Sequence, residues 1–321
     1  IGPFGAHLTG PGLEWCTGQV LFGGGTELAV VEPPRLLEVI QADEATARGV
    51  VAAALSKVLA PAEAAQRSAG GGNPRLTAAS ADALDAADLA CGVVVADPAL
   101  ASAVSEALRA RGARVLPLGP STVAPGFAGA TAAVRALAEQ AGQLDALVLA
   151  APGEPESRPS TDAGWDRLLT EHEGLVAGLV DDAAWARAVA DHTAETRRPL
   201  RLVALTDAST SGGRSRAQAV TQLARAARGA TEDRVGAFAV TLAAEATSVV
   251  AGELAAQLVA DPEAGVLSGA ELTVGPGWFG LSAHPRPGAS VALAGTAVPD
   301  WFDDVLRSAV AADRLGAEAQ R

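Results

Sequence analysis

Short apolar runs alternate with amphipathic stretches through the middle of the chain. Residues 91–97 (CGVVVAD), 144–153 (LDALVLAAPG) and 198–209 (RPLRLVALTDAS) are apolar runs that end in turn residues, as buried strands do. The intervening stretches have the helical spacing of apolar residues: residues 98–112 predict a helix with proline at its first position, and residues 162–193 predict one long helix or two. Strands that alternate with helices predict βαβ units, and therefore an α/β fold with a doubly wound, Rossmann-like parallel sheet.

The two ends of the chain follow a different pattern. In residues 1–75 two apolar runs flank a glycine turn, which predicts a hairpin or a strand and loop, before a helical stretch and the linker-like residues 68–75. Residues 285–321 predict a strand followed by an amphipathic helix. The expected organisation is an N-terminal extension or subdomain over 1–75, a Rossmann-like domain over 76–284, and the C-terminal strand and helix over 285–321.

Charge restricts the partners that this chain can have. The 321 residues carry a net charge of −13, which disfavours nucleic acid and anionic membranes because both require basic surfaces. No apolar run is long enough to span a bilayer, so a cytoplasmic protein is expected. Cys16 and Cys91 have no disulfide or zinc spacing, and the EHE at 171–173 and the aspartates at 181–182 have no metal-ligand spacing, so no metal is expected.

Several stretches occur in the order and with the lengths found in one enzyme family. They are residues 141–153, 164–178, 201–209, 214–231, 232–242 and 265–278. Together they resemble the short-chain dehydrogenase/reductase family, in particular its 3-oxoacyl-thioester reductase and polyketide ketoreductase branch. The resemblance implies a Rossmann-like fold, a nicotinamide dinucleotide at the N-terminus of the first helix, and a serine, tyrosine and lysine that reduce a carbonyl.

The positions that would hold the dinucleotide depart from that pattern. The family has a glycine-rich turn after the first strand, because a Cβ there would collide with the pyrophosphate. Residues 96–104 (ADPALASAV) contain no glycine, and Asp97 would repel a phosphate, while Leu149 and Ala150 replace two asparagines of the cofactor edge. Asp97 and Gly153 are therefore the candidate cofactor-binding positions. No cofactor is expected to bind, and NADPH or NADH is expected only if the chain is an active reductase.

The catalytic residues of the family are also replaced. Alignment places Arg216 on the tyrosine and Val220 on the lysine, and the sequence contains no tyrosine. Arginine stays protonated at any working pH, so Arg216 is a poor proton donor to a growing alkoxide. The remaining catalytic candidates are His172, at the position of a helix asparagine of the family, with Thr206 or Ser209 near the position of the serine. His172 is either an acid or base, or a hydrogen-bonded helix histidine.

Two further features leave alternatives open. Residues 22–28 (FGGGTEL) are either a phosphate-binding loop or a turn. The loop at 211–216 forms, with Arg225, Arg228 and Arg234, a basic patch in an acidic protein. This patch is either a site for an acidic partner or a phosphopantetheine arm, or a helix face whose arginines pair with carboxylates.

The order and lengths of the family's segments are retained, whereas its cofactor-binding and catalytic residues are replaced. This combination favours a degenerate, non-catalytic ketoreductase-like scaffold or subunit in fatty-acid or polyketide biosynthesis. The resemblance implies a catalytic partner protein or an acyl carrier protein, and a homo- or hetero-oligomer such as a dimer, since this family includes cofactor-free halves that pair with catalytic halves. The alternative is a divergent NAD(P)H-dependent 3-oxoacyl-thioester ketoreductase with a non-standard active site. A third hypothesis is a small-molecule binder that uses the crevice at the carboxyl ends of the strands.

Overall fold

The computed structural model describes residues 2–24, 27–32, 34–66, 88–119, 126–150, 164–292, 295 and 297–318. Internal contacts divide the chain into two units. The larger unit comprises Leu36–Ala65 and Leu76–Ser282, and the smaller unit comprises Ile1–Arg35, Gln66–Arg75 and Ala283–Arg321.

The larger unit is built on a sheet whose described part has eight strands. They are β3 Leu36–Gln41, β4 Ala90–Val95, β5 Arg114–Leu118, β6 Ala146–Ala150, β7 Leu200–Asp207, β8 Val235–Leu242, β9 Glu271–Gly275 and β10 Trp278–Ser282. Their spatial order is β3-β10-β9-β8-β7-β6-β4-β5. The six strands from β9 to β5 pair in parallel, whereas β10 and β3 are antiparallel to their neighbours. The predicted α/β class with a mainly parallel, Rossmann-like sheet is confirmed.

Helices cover both faces of this sheet. They are α2 Ala47–Ala54, α3 Ala60–Ala65, α4 Pro98–Arg109, α5 Gly126–Ala141, α6 Gly164–Glu171, α7 Leu175–Thr196, α8 Ser211–Ala230 and α9 Ser248–Ala260, with a π-helical turn, Leu55–Leu59, between α2 and α3. The helices α2, α4 and α9 pack on one face, and α5, α7 and α8 pack on the other. At Gly252 of α9 a Cβ would lie 2.7 Å from the carbonyl carbon of Ala103 in α4, so glycine permits this close helix contact. Two helical layers around one parallel sheet make the fold doubly wound.

The order in which successive strands are added to the sheet reverses at β4. The chain leaves β4 through α4 to β5 on one side, and then returns through α5 to β6 on the other side. Because α4 and α5 pack on opposite faces of the sheet, the connections on the two sides of β4 diverge at this strand. In open α/β sheets this point of divergence forms a crevice in which ligands bind.

The structure divides the chain differently from the sequence-based boundaries at one segment. Residues 36–65 were expected in the N-terminal extension, but β3 pairs with β10 in the large sheet, and Val51, Leu55 and Leu59 are buried in its core. That pairing joins residues more than two hundred positions apart, which no local pattern can indicate. The helical stretch at 162–193 forms two helices, α6 and α7, because Gly174 has a φ of 75° at the start of α7.

The smaller unit is a three-stranded antiparallel sheet with helices. Its elements are α1 Gly2–Leu8, a 3-10 turn Glu14–Cys16, β1 Val20–Gly24, β2 Glu27–Glu32, β11 Arg286–Ala292 and α10 Phe302–Glu318, and the strand order is β1-β2-β11. Phe4, Leu28, Val30, Phe302 and Leu306 form its core. The expected hairpin and the expected C-terminal strand and helix are both present. Among the helices that the structure describes, none is long and apolar enough to cross a membrane.

Candidate functional site

A cleft lies at the carboxyl ends of the parallel strands, where the topology predicts a ligand site. Its volume is 260 Å³. The lining comes from the end of β4 at Asp97, the end of β7 at Asp207 and Ser209, and the segment from Leu242 to Ser248 that joins β8 to α9. In a dinucleotide-binding Rossmann fold the N-terminus of α4 would face the pyrophosphate here.

The backbone donors at the start of α4 are already used within the protein. Asp97 is the N-cap residue, and its Oδ1 accepts hydrogen bonds from the N–H groups of Ala99 at 2.8 Å and Leu100 at 3.1 Å. Pro98 has no N–H, and the N–H of Ala101 donates to the carbonyl oxygen of Asp97 at 2.9 Å. The first turn of α4 therefore presents a carboxylate to the cleft, where a phosphate-binding helix presents unbonded N–H groups.

Other carboxylates line the same cleft. Asp207 at the end of β7 and Glu245 in the β8–α9 segment are both exposed there, and Asp207 Oδ1 accepts the N–H of Ser209 at 2.8 Å. With Asp97 they give the lining three acidic side chains. The hydroxyl of Thr247, the N-cap residue of α9, is buried in this lining and has no hydrogen-bond partner within the described parts of the chain. The lining is thus acidic and hydroxylic, which disfavours a polyphosphate because like charges repel.

The structure brings two of the five sequence-predicted site residues into this cleft. Asp97 and Ser209 both line it. Thr206 is only 4% exposed within β7 and is not part of the lining. Gly153 lies outside the described residues.

His172, the fifth predicted residue, follows α6 directly. Its Nδ1 contacts the carbonyl oxygen of Leu168 at 2.8 Å, and its Nε2 lies 3.3 Å from the hydroxyl of Ser215 in α8. Its hydrogen-bond partners are therefore neither Thr206 nor Ser209, and it does not line the cleft. Ser215 also donates to the carbonyl oxygen of Ser211 at 3.1 Å, so this contact joins α6 to the first turn of α8.

Glu171, the residue before His172, makes several hydrogen bonds. It accepts hydrogen bonds from the hydroxyl and, at 3.1 Å, the N–H of Ser211 at the start of α8, and it pairs with Arg167 at 2.8 Å. The Ser211 hydroxyl bond and the Arg167 bond lower the pKa of Glu171 to about 2. Glu171 belongs to the EHE run at 171–173, and across the described ranges no group of three His, Cys, Asp or Glu could hold a metal ion. Its observed role is to cap α8.

Arg216, at the tyrosine position of the resemblance, forms a buried ion pair. Its Nε and Nη2 donate to the two carboxylate oxygens of Asp182 in α7 at 2.7 and 2.9 Å. Arg216 is 2% exposed and Asp182 is 7% exposed, so the pair lies between the helices and away from solvent. Val220, at the lysine position, is buried in the core at 4% exposure. Neither position presents a group that can donate a proton to a ligand in the cleft.

Pairing bears on the two alternatives that the sequence leaves open. Arg225, Arg228 and Arg234 form ion pairs with Glu271, Asp233 and Glu232, as a helix face whose arginines pair with carboxylates would, while Arg214 of the same patch is exposed. Within residues 22–28, Gly23 and Gly24 belong to β1 and pair with Leu28 and Glu27 of β2. These two glycines are therefore part of an antiparallel strand pair, whereas a phosphate-binding loop would lead into a helix.

Comparison with known proteins relates this architecture to one group. No protein-family model and no curated protein matches the sequence. Among solved structures, the chain is similar to a short-chain dehydrogenase from Mycobacterium avium, with a TM-score of 0.55 and 14% sequence identity over 71% of this chain and 96% of that one. The fold is that of the short-chain dehydrogenases. At this identity the likeness concerns the fold alone.

Other short-chain dehydrogenase-type structures match with lower scores. One from Mycobacterium smegmatis has a TM-score of 0.44 and 15% identity, over 61% of this chain and 95% of that one. The hydroxysteroid dehydrogenase from Escherichia coli has a TM-score of 0.45 and 13% identity, over 59% of this chain and 96% of that one.

Proposed function

We propose that this chain is a non-catalytic subunit with the short-chain dehydrogenase fold, which supports a catalytic partner protein in fatty-acid or polyketide biosynthesis. The observation that carries the proposal is the capped N-terminus of α4. A dinucleotide pyrophosphate needs unbonded N–H groups at this helix end, and here Asp97 uses them and adds a negative charge.

The second support is that the positions of the family's catalytic tyrosine and lysine hold Arg216 and Val220, neither of which can protonate an alkoxide. Hydride addition to a carbonyl requires a proton donor at the growing alkoxide. The sequence contains no tyrosine, and the residue at the tyrosine position, Arg216, is held in a bidentate pair with Asp182. Arginine stays protonated at any working pH, so Arg216 cannot supply this proton.

The third support is an exposed apolar surface on α6 and α7. Trp165 is 72% exposed, Leu169 is 60% exposed and Val176 is 74% exposed. Exposed apolar side chains grouped on adjacent elements favour a protein–protein interface, because leaving them in water is unfavourable. We assign the catalytic partner to this surface. An acidic acyl carrier protein at the basic patch is less favoured, because Arg225, Arg228 and the other paired arginines of that patch are neutralised by carboxylates.

The proposal for fatty-acid or polyketide biosynthesis rests on the 3-oxoacyl-thioester reductase resemblance of residues 141–153 and 265–278. The proposal for a non-catalytic role rests on the geometry. These two parts are separable, since a non-catalytic subunit of another pathway would have the same capped α4.

Titration with NADPH and with NADH tests the non-catalytic role. We expect no heat of binding in calorimetry and no melting shift, while a catalytic reductase of the same fold, measured in parallel, binds. If the Kd were about 10 μM, a ligand concentration about one hundred times the Kd would raise the free energy of unfolding by about 2.7 kcal/mol, which a thermal shift detects. Micromolar binding of either dinucleotide would overturn the proposal.

One contact favours the alternative of a divergent ketoreductase. His172 Nε2 lies 3.3 Å from the hydroxyl of Ser215, a contact that would need to shorten slightly on substrate binding for the two groups to exchange a proton. If NADPH binds, the next measurement is reduction of a 3-oxoacyl thioester by the protein and by the His172→Ala variant. Loss of turnover in the variant would then assign the acid–base role to His172.

A further inference from the structure

Between α7, α8 and the sheet lies an apolar pocket of 240 Å³, which opens to solvent beside the exposed residues Arg187, Ala226 and Ala230. Leu149 of β6, Leu202 of β7 and Val235 of β8 form its floor, and the two helices form its walls. It shares no lining residue with the cleft at the carboxyl ends of the strands. It is therefore a separate site within the larger unit.

Alanine is the reason that this space is open. Nine of the 18 lining residues are alanines, including Ala186 and Ala190 on α7 and Ala224 and Ala227 on α8. Protein interiors normally contain few voids larger than a water molecule, because side chains interdigitate to the density of organic crystals. Here α7 and α8 both present alanines to the same space, so an apolar gap that opens to solvent remains between the two helices and the sheet.

The polar groups in the lining already have partners. Asp182 is paired with Arg216 through two hydrogen bonds, and Arg187 pairs with Asp191 at 2.8 Å. Thr231 donates its hydroxyl proton to the carbonyl oxygen of Ala227 at 2.6 Å. An occupant of the cavity therefore meets hydrocarbon walls and polar groups that are already hydrogen-bonded. A hydrocarbon fits such a lining, whereas a polar ligand would lose its own hydrogen bonds to water.

We propose that this cavity binds the hydrocarbon chain of a medium-length alkyl or acyl ligand. An apolar cavity of about 150 Å³ accommodates benzene, so 240 Å³ has room for a chain of about eight to ten carbons. Any head group remains outside the cavity. This inference is independent of the proposed function, because it uses neither the cleft nor the exposed surface of α6 and α7.

A series of straight-chain 1-alkanols from butanol to decanol tests the inference by isothermal titration calorimetry on the full chain. Each methylene moved from water into the cavity tightens binding by about fourfold. We expect the dissociation constant to fall by this factor per carbon up to about octanol or nonanol, and then to stop falling when the cavity is full. An absence of saturable octanol binding, or affinity independent of chain length, overturns the inference.

Variants locate the binding. Ala227→Leu places three additional carbon atoms in the cavity, and we expect octanol affinity to fall at least tenfold. Gln222→Leu adds an apolar side chain to the exposed surface of the same helix and should leave the affinity unchanged. Ala190→Leu on α7 makes the same change from the opposite wall, and is measured if the first variant does not unfold cooperatively. Unchanged octanol binding in the filled variant overturns the assignment to this cavity.

A second copy of the chain is the competing occupant. In that case the protein is a dimer in light scattering, octanol does not bind to it, and Ala227→Leu shifts it to monomer. This result would overturn the ligand proposal. Saturable octanol binding at an oligomeric state that is the same in wild type and variant supports it.

Discussion

Removing the arginine of the buried Arg216–Asp182 pair is expected to destabilise the larger unit strongly. Arg216→Met leaves the Asp182 carboxylate without two charge-assisted hydrogen bonds, at a position where the residue is only 7% exposed. Breaking a buried pair from one side costs about 3–5 kcal/mol, since the remaining charge is neither paired nor hydrated. The double variant Arg216→Met/Asp182→Leu should recover most of this loss, because no isolated charge is left in the interior.

Urea unfolding followed by intrinsic tryptophan fluorescence and by far-UV circular dichroism measures both effects. Trp185 on α7, one of five tryptophans, packs partly buried against the core on the same face of the sheet and contributes to the fluorescence change. Arg187→Met is the matched control, because Arg187 also pairs with an aspartate on α7, but the two side chains are 67% and 43% exposed. An exposed pair of this kind contributes about 0.3–0.5 kcal/mol.

The reasoning fails if Arg216→Met costs no more than the Arg187→Met control. In that case water reaches the Asp182 carboxylate in the variant, and the pair contributes as a surface pair does. It also fails if the double variant is as unstable as the single one, since the loss would then come from side-chain packing and not from the isolated charge.

Three further predictions concern stability and reactivity. The pKa of Glu171 is lowered from 4.5 to about 2, so its ionised form stabilises the folded protein above about pH 4.5, and this contribution is lost as the pH falls toward 2. Glu171→Gln should therefore lower the urea midpoint at pH 7 and have little effect on it near pH 2. Gly252→Ala, whose Cβ would lie 2.7 Å from the backbone of α4, should lower the free energy of unfolding by about 1–3 kcal/mol in the same assay. Gly229→Ala, with open space around it in α8, should raise the free energy of unfolding by about 0.5–1 kcal/mol. Equal effects of the two variants would refute the packing argument. Burial raises the pKa of Cys91 to about 12, so iodoacetamide should modify this thiol only after unfolding, as mass spectrometry would show; modification of the folded protein would contradict its burial.

The strands at the centre of the sheet could be predicted because their burial leaves a local signal. A strand covered by helices on both faces must be apolar at successive positions. The run at 91–97 overlaps β4, and the runs at 144–153 and 198–209 contain β6 and β7. The start of α4 could also be predicted from residues that are neighbours in the chain. Asp97 stands directly before a proline, and the N–H groups that it accepts belong to residues two and three positions further along the chain.

Contacts between distant segments were decided only by the tertiary structure. Glu171 caps α8 across 40 positions, and Arg216 reaches Asp182 across 34. The partner of β3 lies near the other end of the larger unit, so residues 36–41 could not be assigned to the sheet from their own pattern. Sequence periodicity reports which face of an element is buried, but it does not identify the element that covers that face.

The amino-acid sequence by itself thus determined the class of fold and the loss of the phosphate-binding turn, because both depend on residues that are neighbours in the chain. Only the tertiary structure decided which charges are paired, which hydroxyls and carboxylates share the cleft, and where alanines from two helices leave a cavity. The physical reason is that hydrogen bonds and packing act over a few ångströms in space, whereas the residues that make them are separated by tens to hundreds of positions along the chain.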